Sequence, residues 1–321
     1  MQNKLLEPFK LKGNAYLPNR LMPGPMEGVM TPLLCQALAE LNLVDYWVTP
    51  FIRISEGIPH TKTIRKKLNY FTETNLPIIV QLLGYDPFKI TETAKRIADM
   101  GFLGVNINFA CPSKRVIANN GGSKLLTTPK QIETILSSLY NSLPNFSISA
   151  KIRMGYSDFN EYIQLAHLFD NCDFTAIHFR TAIEGYQAIE NIDERLELIK
   201  QHTSSPTFIS GDIFTEKDAI SAVMKTSSDG AIFARGLLKD PFIIEKTKLT
   251  LKNKKEIIED KKIEFMIKLQ ELINRAPGKY LIKANFIELS KHLFGAESDI
   301  FKTLTKTNKK DFQQIDFNSI S

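Results

Sequence analysis

Cysteine is scarce in this 321-residue chain, with only Cys35, Cys111 and Cys172 present. An odd, sparse count argues against a disulfide framework. No Cys-x-x-Cys pair or Cys/His cluster has zinc spacing, so no structural metal is expected. No run of about 18 apolar residues occurs, which leaves no candidate for a membrane-spanning helix. The first fourteen residues, MQNKLLEPFKLKGN, lack the apolar core of a signal peptide, and a cytoplasmic location is expected. Acidic excess is lacking too. The 41 Lys and Arg outnumber 35 Asp and Glu, for a net charge of +6, a balance that suits a polyanionic partner.

What is there is a regular alternation. Eight short apolar runs read as strands: Arg20–Met26, Asp45–Ile52, Pro77–Gly84, Gly104–Cys111, Ser147–Met154, Phe174–Arg180, Pro206–Asp212 and Gly230–Gly236. They are rich in Val, Ile and Phe with little polar alternation, as in a parallel sheet covered on its outer side. Amphipathic segments separate most of them, including Pro32–Leu41, Pro87–Met100, Pro129–Leu143, Glu161–Phe169, Asp193–His202 and Glu216–Lys225. Thr215 is a candidate N-cap, with Asp218 three positions on. Between strands two and three, Arg53–Thr74 is polar and its helix is poorly defined. Eight β/α repeats predict an α/β fold, a (β/α)8 TIM barrel over residues 1–243. After residue 243 strand signals cease, and helix-period segments at 256–275 and 280–294 predict a small Lys-rich helical domain over 244–321. The stretch 303–321 has few large apolar residues and is expected to be partly disordered.

Barrels of this kind carry their active sites at the C-terminal ends of the strands. Polar and reactive groups recur there. Strand one ends in Pro25-Met26-Glu27-Gly28, strand three in Gln81-Leu82-Leu83-Gly84, and strand four in Asn108-Phe109-Ala110-Cys111-Pro112-Ser113-Lys114. Strand five carries Lys151 and Arg153, strand six His178 and Arg180, strand seven Ser210-Gly211-Asp212, and strand eight Ala234-Arg235-Gly236. A barrel core has no use for such groups unless they are paired. The glycines after strands seven and eight, with Arg235, suit a phosphate. Lys151 could set an ammonium beside an anionic ring position. Gln81 can donate and accept, as an imide-like ring edge requires. Cys111, followed by Pro112 and the Gly121-Gly122 loop, reads as a thiol on a mobile loop, available as acid or nucleophile. Cys35 and Cys172 read as packing residues, and Glu27 is compatible with a turn-capping role.

These blocks resemble the tRNA-dihydrouridine synthase family. The signature-like stretch is Asn-Ile-Asn-Phe-Ala-Cys-Pro-Ser-Lys at 106–114. Pro25–Val29, Gln81–Gly84, Ala150–Gly155, His178–Thr181, Gly211–Ile213 and Ala234–Gly236 follow the family's order. The resemblance implies FMN as cofactor, NADPH as reductant and tRNA as partner; a monomer is expected. It places Pro25, Met26 and Gln81 at the flavin ring, and Lys151 and His178 at its pyrimidine side. Ser210, Gly211, Asp212, Ala234, Arg235 and Gly236 fall around the ribityl chain and phosphate. Asn108 falls on the target base, Arg153 and Arg180 on the uracil or RNA side, and Cys111 is the implied general acid. Pro-Met-Glu-Gly-Val at 25–29 with Cys-Pro-Ser-Lys at 111–114 is most similar to the bacterial subgroup acting on D-loop position 16.

The chain departs from the pattern at Asn106, where Asp is usual, at Ser210, where Asn commonly stands, and at Ala110 in place of Gly. The segment before Pro18 is longer than the pattern. Two other readings share some of these features: an FMN barrel enzyme acting on free pyrimidines, and a non-enzymatic RNA-binding barrel. The basic helical segment and the Cys-Pro-Ser-Lys context favour RNA over the first. Retention of Cys111, Lys151, His178 and Arg235 speaks against the second.

Overall fold

The computed structural model describes residues 2–54, 57–254, 261–275, 282–307 and 315. A two-stranded antiparallel hairpin comes first, β1 (Phe9–Lys10) with β2 (Tyr16–Leu17). The main sheet is parallel. It holds β3 (Leu21–Pro23), β4 (Trp47–Val48), β5 (Ile52–Ile54), β6 (Ile78–Gly84), β7 (Gly104–Phe109), β8 (Ser147–Arg153), β9 (Thr175–His178), β10 (Thr207–Ser210) and β11 (Gly230–Phe233). Its order is β3-β11-β10-β9-β8-β7-β6-β4, with β5 also on β6. β3 packs beside β4 and brings the two ends of the sheet together. The eight predicted runs are thus eight barrel positions, with β4 and β5 sharing the second.

The helices are α1 (Pro32–Glu40), α2 (Thr61–Thr72), α3 (Pro87–Asp99), the short α4 (Lys114–Ile117), α5 (Pro129–Ser142), α6 (Tyr162–Leu165), α7 (Ile192–His202), α8 (Glu216–Thr226), α9 (Arg235–Lys239) and α10 (Ile243–Leu251). Further on come α11 (Lys261–Arg275), α12 (Ile282–Phe294) and α13 (Asp299–Lys306). Thr215 and Asp218 form a reciprocal capping box at the start of α8, which satisfies two otherwise orphaned N–H groups. Pro87 and Pro129 stand in the first turns of α3 and α5, where a missing N–H costs nothing.

Two expectations need correction. Strand two is broken, because Pro50 has no N–H to donate to a ladder. At the gap Thr49 takes over: its N–H donates to Ile79 O at 3.0 Å, and its Oγ1 accepts from Gln81 N at 3.1 Å. The segment 61–72 is a regular helix despite its polarity, because Ile64, Leu68 and Phe71 make a narrow buried stripe.

Helix α10 lies against α8 and the N-terminal turn Gln2–Leu6. It buries Ile243, Ile244, Thr247 and Leu251, and Lys248 pairs with Asp45 at 2.5 Å. By packing it is the last helix of the barrel's outer ring, so a line at 243/244 would cut it from its neighbours. α11 rests on α1 and buries Phe265, Met266 and Leu269. Glu40 at the end of α1 holds it there, pairing with Lys268 at 3.0 Å and Arg275 at 2.9 Å. Of the stretch 303–321, α13 takes the first residues; beyond Thr307 the expectation of disorder lies outside the described residues, except for 315.

The core has two parts. The larger fills the space between sheet and helices. The smaller lies inside the barrel and includes Met22, Val48, Ile79, Phe174, Phe208 and Ile232 together with Phe9, Leu11 and Leu17. Phe9 meets Phe174 and Phe208 edge-on, with ring centroids 6.1 and 5.4 Å apart. The long segment before Pro18 therefore has a structural role: the β1–β2 hairpin plugs the floor of the barrel. Chemistry is left the other end.

Candidate active site

At the C-terminal ends of the strands lies a cavity of about 640 Å³, a size typical of cofactor sites. Its wall includes Pro25, Met26, Gln81, Asn108, Cys111, Lys151, Arg153, His178, Ser210, Gly211, Asp212, Ala234, Arg235 and Gly236. Of the residues singled out from sequence, Arg180 alone stands outside this wall. Its guanidinium is buried, with Nε donating to Gln187 O at 2.8 Å and Nη2 paired with Asp212.

A one-way chain of hydrogen bonds runs under the cavity. Asn108 Nδ2 donates to Gln81 Oε1 at 2.8 Å, and Gln81 Nε2 donates to Asn106 Oδ1 at 2.8 Å. Asn106 Nδ2 donates to Ser149 Oγ at 2.9 Å, and Ser149 Oγ to Val105 O at 3.2 Å. Asn106 can both accept and donate, which a carboxylate cannot. At the other end, Asn108 Oδ1 accepts from the N–H groups of Ala110 and Cys111, both at 2.9 Å.

The thiol loop is pinned elsewhere as well. Arg153 Nε donates to Ala110 O at 2.9 Å. Ser123 donates to Cys111 O from its N–H at 3.1 Å and its Oγ at 3.0 Å. Every backbone donor and acceptor of residues 110 and 111 is therefore occupied. The mobile loop expected from Gly121 and Gly122 is instead a held one. Gly122 packs against Cys111, where a Cβ would meet Cys111 O at 2.7 Å.

The electrostatics of the wall are one-sided. Lys151 lies on β8, lines the cavity, and makes no hydrogen bond or ion pair with any described residue. Burial, with help from Arg153, lowers its pKa to about 8. Burial also pushes His178 well below its usual range, and Arg153, Lys151, Arg180 and Arg235 add to the shift. His178 is thus neutral. Its Nδ1 accepts from Arg180 N–H at 3.2 Å, which assigns the ring proton to Nε2. Asp212, which with Glu27 supplies the acids of the wall, pairs with both Arg180 and Arg235, the latter at 2.7 Å. Ser210 Oγ donates to Ile177 O at 3.1 Å, so its hydroxyl proton is used within the barrel wall. The two remaining cysteines are buried, and burial raises the pKa of both, Cys172 to about 12.

Sequence reasoning missed Phe51, Arg53, Tyr186 and Phe214, which also line the cavity. Phe51 and Arg53 flank the end of strand two, which a search of every strand end would have reached. Tyr186 sits in the loop after β9, where no periodicity marks a residue.

A donor-rich wall fits an acceptor-rich ligand. Gln81, Lys151 and His178 suit the carbonyl edge of a flavin's pyrimidine ring, and Arg235 suits a phosphate. The unpartnered ammonium of the half-buried Lys151 is the observation behind this fit, since a partly desolvated lysine is seldom left without an anion. Among the described residues no group of His, Cys, Asp and Glu could hold a metal ion, and no helix is long and apolar enough to cross a membrane.

Comparison with known proteins agrees. The fold is shared with solved structures at low identity: a variant of NCR from Zymomonas mobilis has a TM-score of 0.55 at 15% identity, over 77% of this chain and 91% of that one. TcOYE with pHBA gives 0.55 at 12% identity, over 77% and 93%. The tRNA-dihydrouridine(16) synthase of Vibrio vulnificus (strain CMCP6) is 32% identical over 230 residues, 69% of this chain and 72% of its own. That of Shewanella oneidensis is 31% identical over 243 residues, 71% and 75% of the two chains. The family model for dihydrouridine synthase matches residues 22–318. This chain belongs to the dihydrouridine synthase family.

Proposed function

We propose that the protein is an FMN-dependent tRNA-dihydrouridine synthase that reduces the C5=C6 bond of uridine 16 in the D-loop. The observation that carries the reading is a pinned thiol, Cys111, opening on the same cavity as the unpartnered Lys151. FMN, reduced by NADPH, supplies the hydride for uracil C6 when bound. Gln81, Lys151 and His178 would hold the pyrimidine side of its ring, Pro25 and Met26 would pack on it, and Gly211, Ala234, Arg235 and Gly236 would hold its phosphate.

The other residues handle the uracil. It must leave its stack to enter the cavity, as for other enzymes that act on a base. Asn108 and Arg153 orient it and, through Ala110 and Cys111, set the thiol at a fixed place. As C6 gains hydride, C5 takes on enolate character and needs a proton. Cys111 Sγ–H gives that proton as general acid. The position-16 relatives support the choice of uridine.

We further infer that the enzyme works as a cytoplasmic monomer, and that the helical part beyond α10 orients the tRNA while the barrel does the chemistry. The test is to incubate purified protein with unmodified tRNA and NADPH and to map dihydrouridine along the RNA. Reduction confined to position 16 is expected. Reduction at other positions with 16 untouched sinks the positional assignment, and no reduction anywhere sinks the activity.

A further inference from the structure

Two large apolar side chains stand exposed close together on one short loop, the loop after β9. Ile183 is 65% exposed and Tyr186 61% exposed, beside the mouth of the cavity that Tyr186 itself lines.

The loop is tied down along its length. Ala182 N–H donates to Gly155 O and Ile183 N–H to Tyr156 O, both at 3.0 Å. Arg153 Nη1 donates to Thr181 O at 2.8 Å and Gly185 O at 2.9 Å, and Arg180 Nε to Gln187 O at 2.8 Å. Glu184 accepts from Thr181 N–H at 2.7 Å and from both Arg195 Nη groups at 2.8 and 2.7 Å. Its carboxyl is held down at about 2, chiefly by Arg195, so the acid between Ile183 and Tyr186 is already paired. Such a loop cannot fold its apolar side chains away.

The surroundings select the partner. The Tyr186 ring lies 4.9 Å from the Arg235 guanidinium and 5.4 Å from that of Arg153. A flat aromatic surface backed by cations suits bases attached to a phosphate chain. An apolar side chain on a rigid loop suits the gap that opens when a base leaves its stack.

We propose that residues 181–187 form a rigid wedge for the RNA around the reduced uridine. Ile183 inserts against the neighbouring bases, and Tyr186 stacks on one of them, holding the strand open while the uracil occupies the cavity. The wedge rests on the tRNA reading above, and it adds the surface that extracts the base.

Its test uses full-chain protein and tRNA carrying 2-aminopurine next to the target uridine. Binding of wild-type protein is expected to raise the fluorescence as the base unstacks, with a weaker rise for Ile183→Ala and Tyr186→Ala. Turnover on folded tRNA should fall at least about tenfold in both variants, the scale of one lost stacking contact. It should fall far less on a short unstructured oligonucleotide containing uridine, where no base needs extracting. Tyr186→Phe keeps the ring and should keep the activity. Ile183→Ala should retain FMN and NADPH oxidation, which checks its fold. Bound tRNA with no fluorescence rise, or equal losses on folded and unstructured RNA, overturns the wedge. A wild-type protein that unstacks the probe yet makes no dihydrouridine overturns the reductase reading and leaves the wedge standing.

Discussion

Cys111 is gripped by its backbone and free at its side chain. Asn108 takes its N–H and Ser123 its carbonyl, so the thiol's position depends on residues that never touch the substrate. Cys111→Ala should keep FMN, keep flavin reduction by NADPH and bind tRNA, while dihydrouridine formation falls by about 10²–10⁴-fold, the usual worth of a general acid. Single-turnover assays with pre-reduced protein would isolate that step, and a wild-type rate there would remove Cys111 from the chemistry. Lys151 gives a second residue-scale outcome. Its pKa of about 8 before an anion arrives means that below pH 8 the ammonium is ready to meet the flavin. Above it a proton must be taken up on binding. FMN affinity should therefore be flat up to about pH 8 and then weaken by up to tenfold per pH unit. Flavin fluorescence titrations should show this in wild type and a flat profile in Lys151→Met.

At the scale of elements, the α1–α11 contact is a clasp with a charged hinge-pin. Glu40 is held at about 2, against its desolvation, by Arg275, Gln36 and Lys268. A depressed carboxyl stabilises the fold above its unfolded value near 4.5, and that stabilisation is lost as pH falls toward 2. Glu40→Gln should cost on the order of 1 kcal/mol at neutral pH and lose less stability than wild type on acidification, as measured by denaturant unfolding across pH 2–7. How far the elements were legible in the sequence follows from their physics. Buried parallel strands announce themselves as apolar runs, so β6, β7 and β8 were plain, and the residues at their ends could be picked out as candidates. α2 was not plain, because three apolar residues in a polar segment bury a helix as well as a wider stripe does. The break at Pro50 was readable from proline's missing N–H and was overlooked. Tyr186 was not readable. Its placement depends on Arg153, Arg180 and Glu184, which are distant in the chain or unremarkable in type.

For the whole molecule, α10 packs on α8 at the edge of the barrel, and the proposed division of labour gives tRNA binding to the part of the chain beyond it. A truncation after residue 252 should keep bound flavin and lose tRNA affinity, although it also bares the α1 surface that α11 covers, so its solubility should drop. In the intact protein, tRNA affinity should fall linearly with salt on a double-logarithmic plot as phosphate counterions are released. Unchanged affinity in the truncation, or a flat salt plot by filter binding, would contradict this division.

The plug in the barrel floor sets an order of assembly. Phe9 is among the earliest residues of the chain, yet its ring partners Phe174 and Phe208 come far later. Such distant pairings slow folding, because the connecting loop must close before any contact repays it. Until β9 and β10 exist, the hairpin's apolar side chains have nowhere to go. The hairpin therefore stays exposed until β9 and β10 are in place, and its docking reports that this side of the barrel has formed.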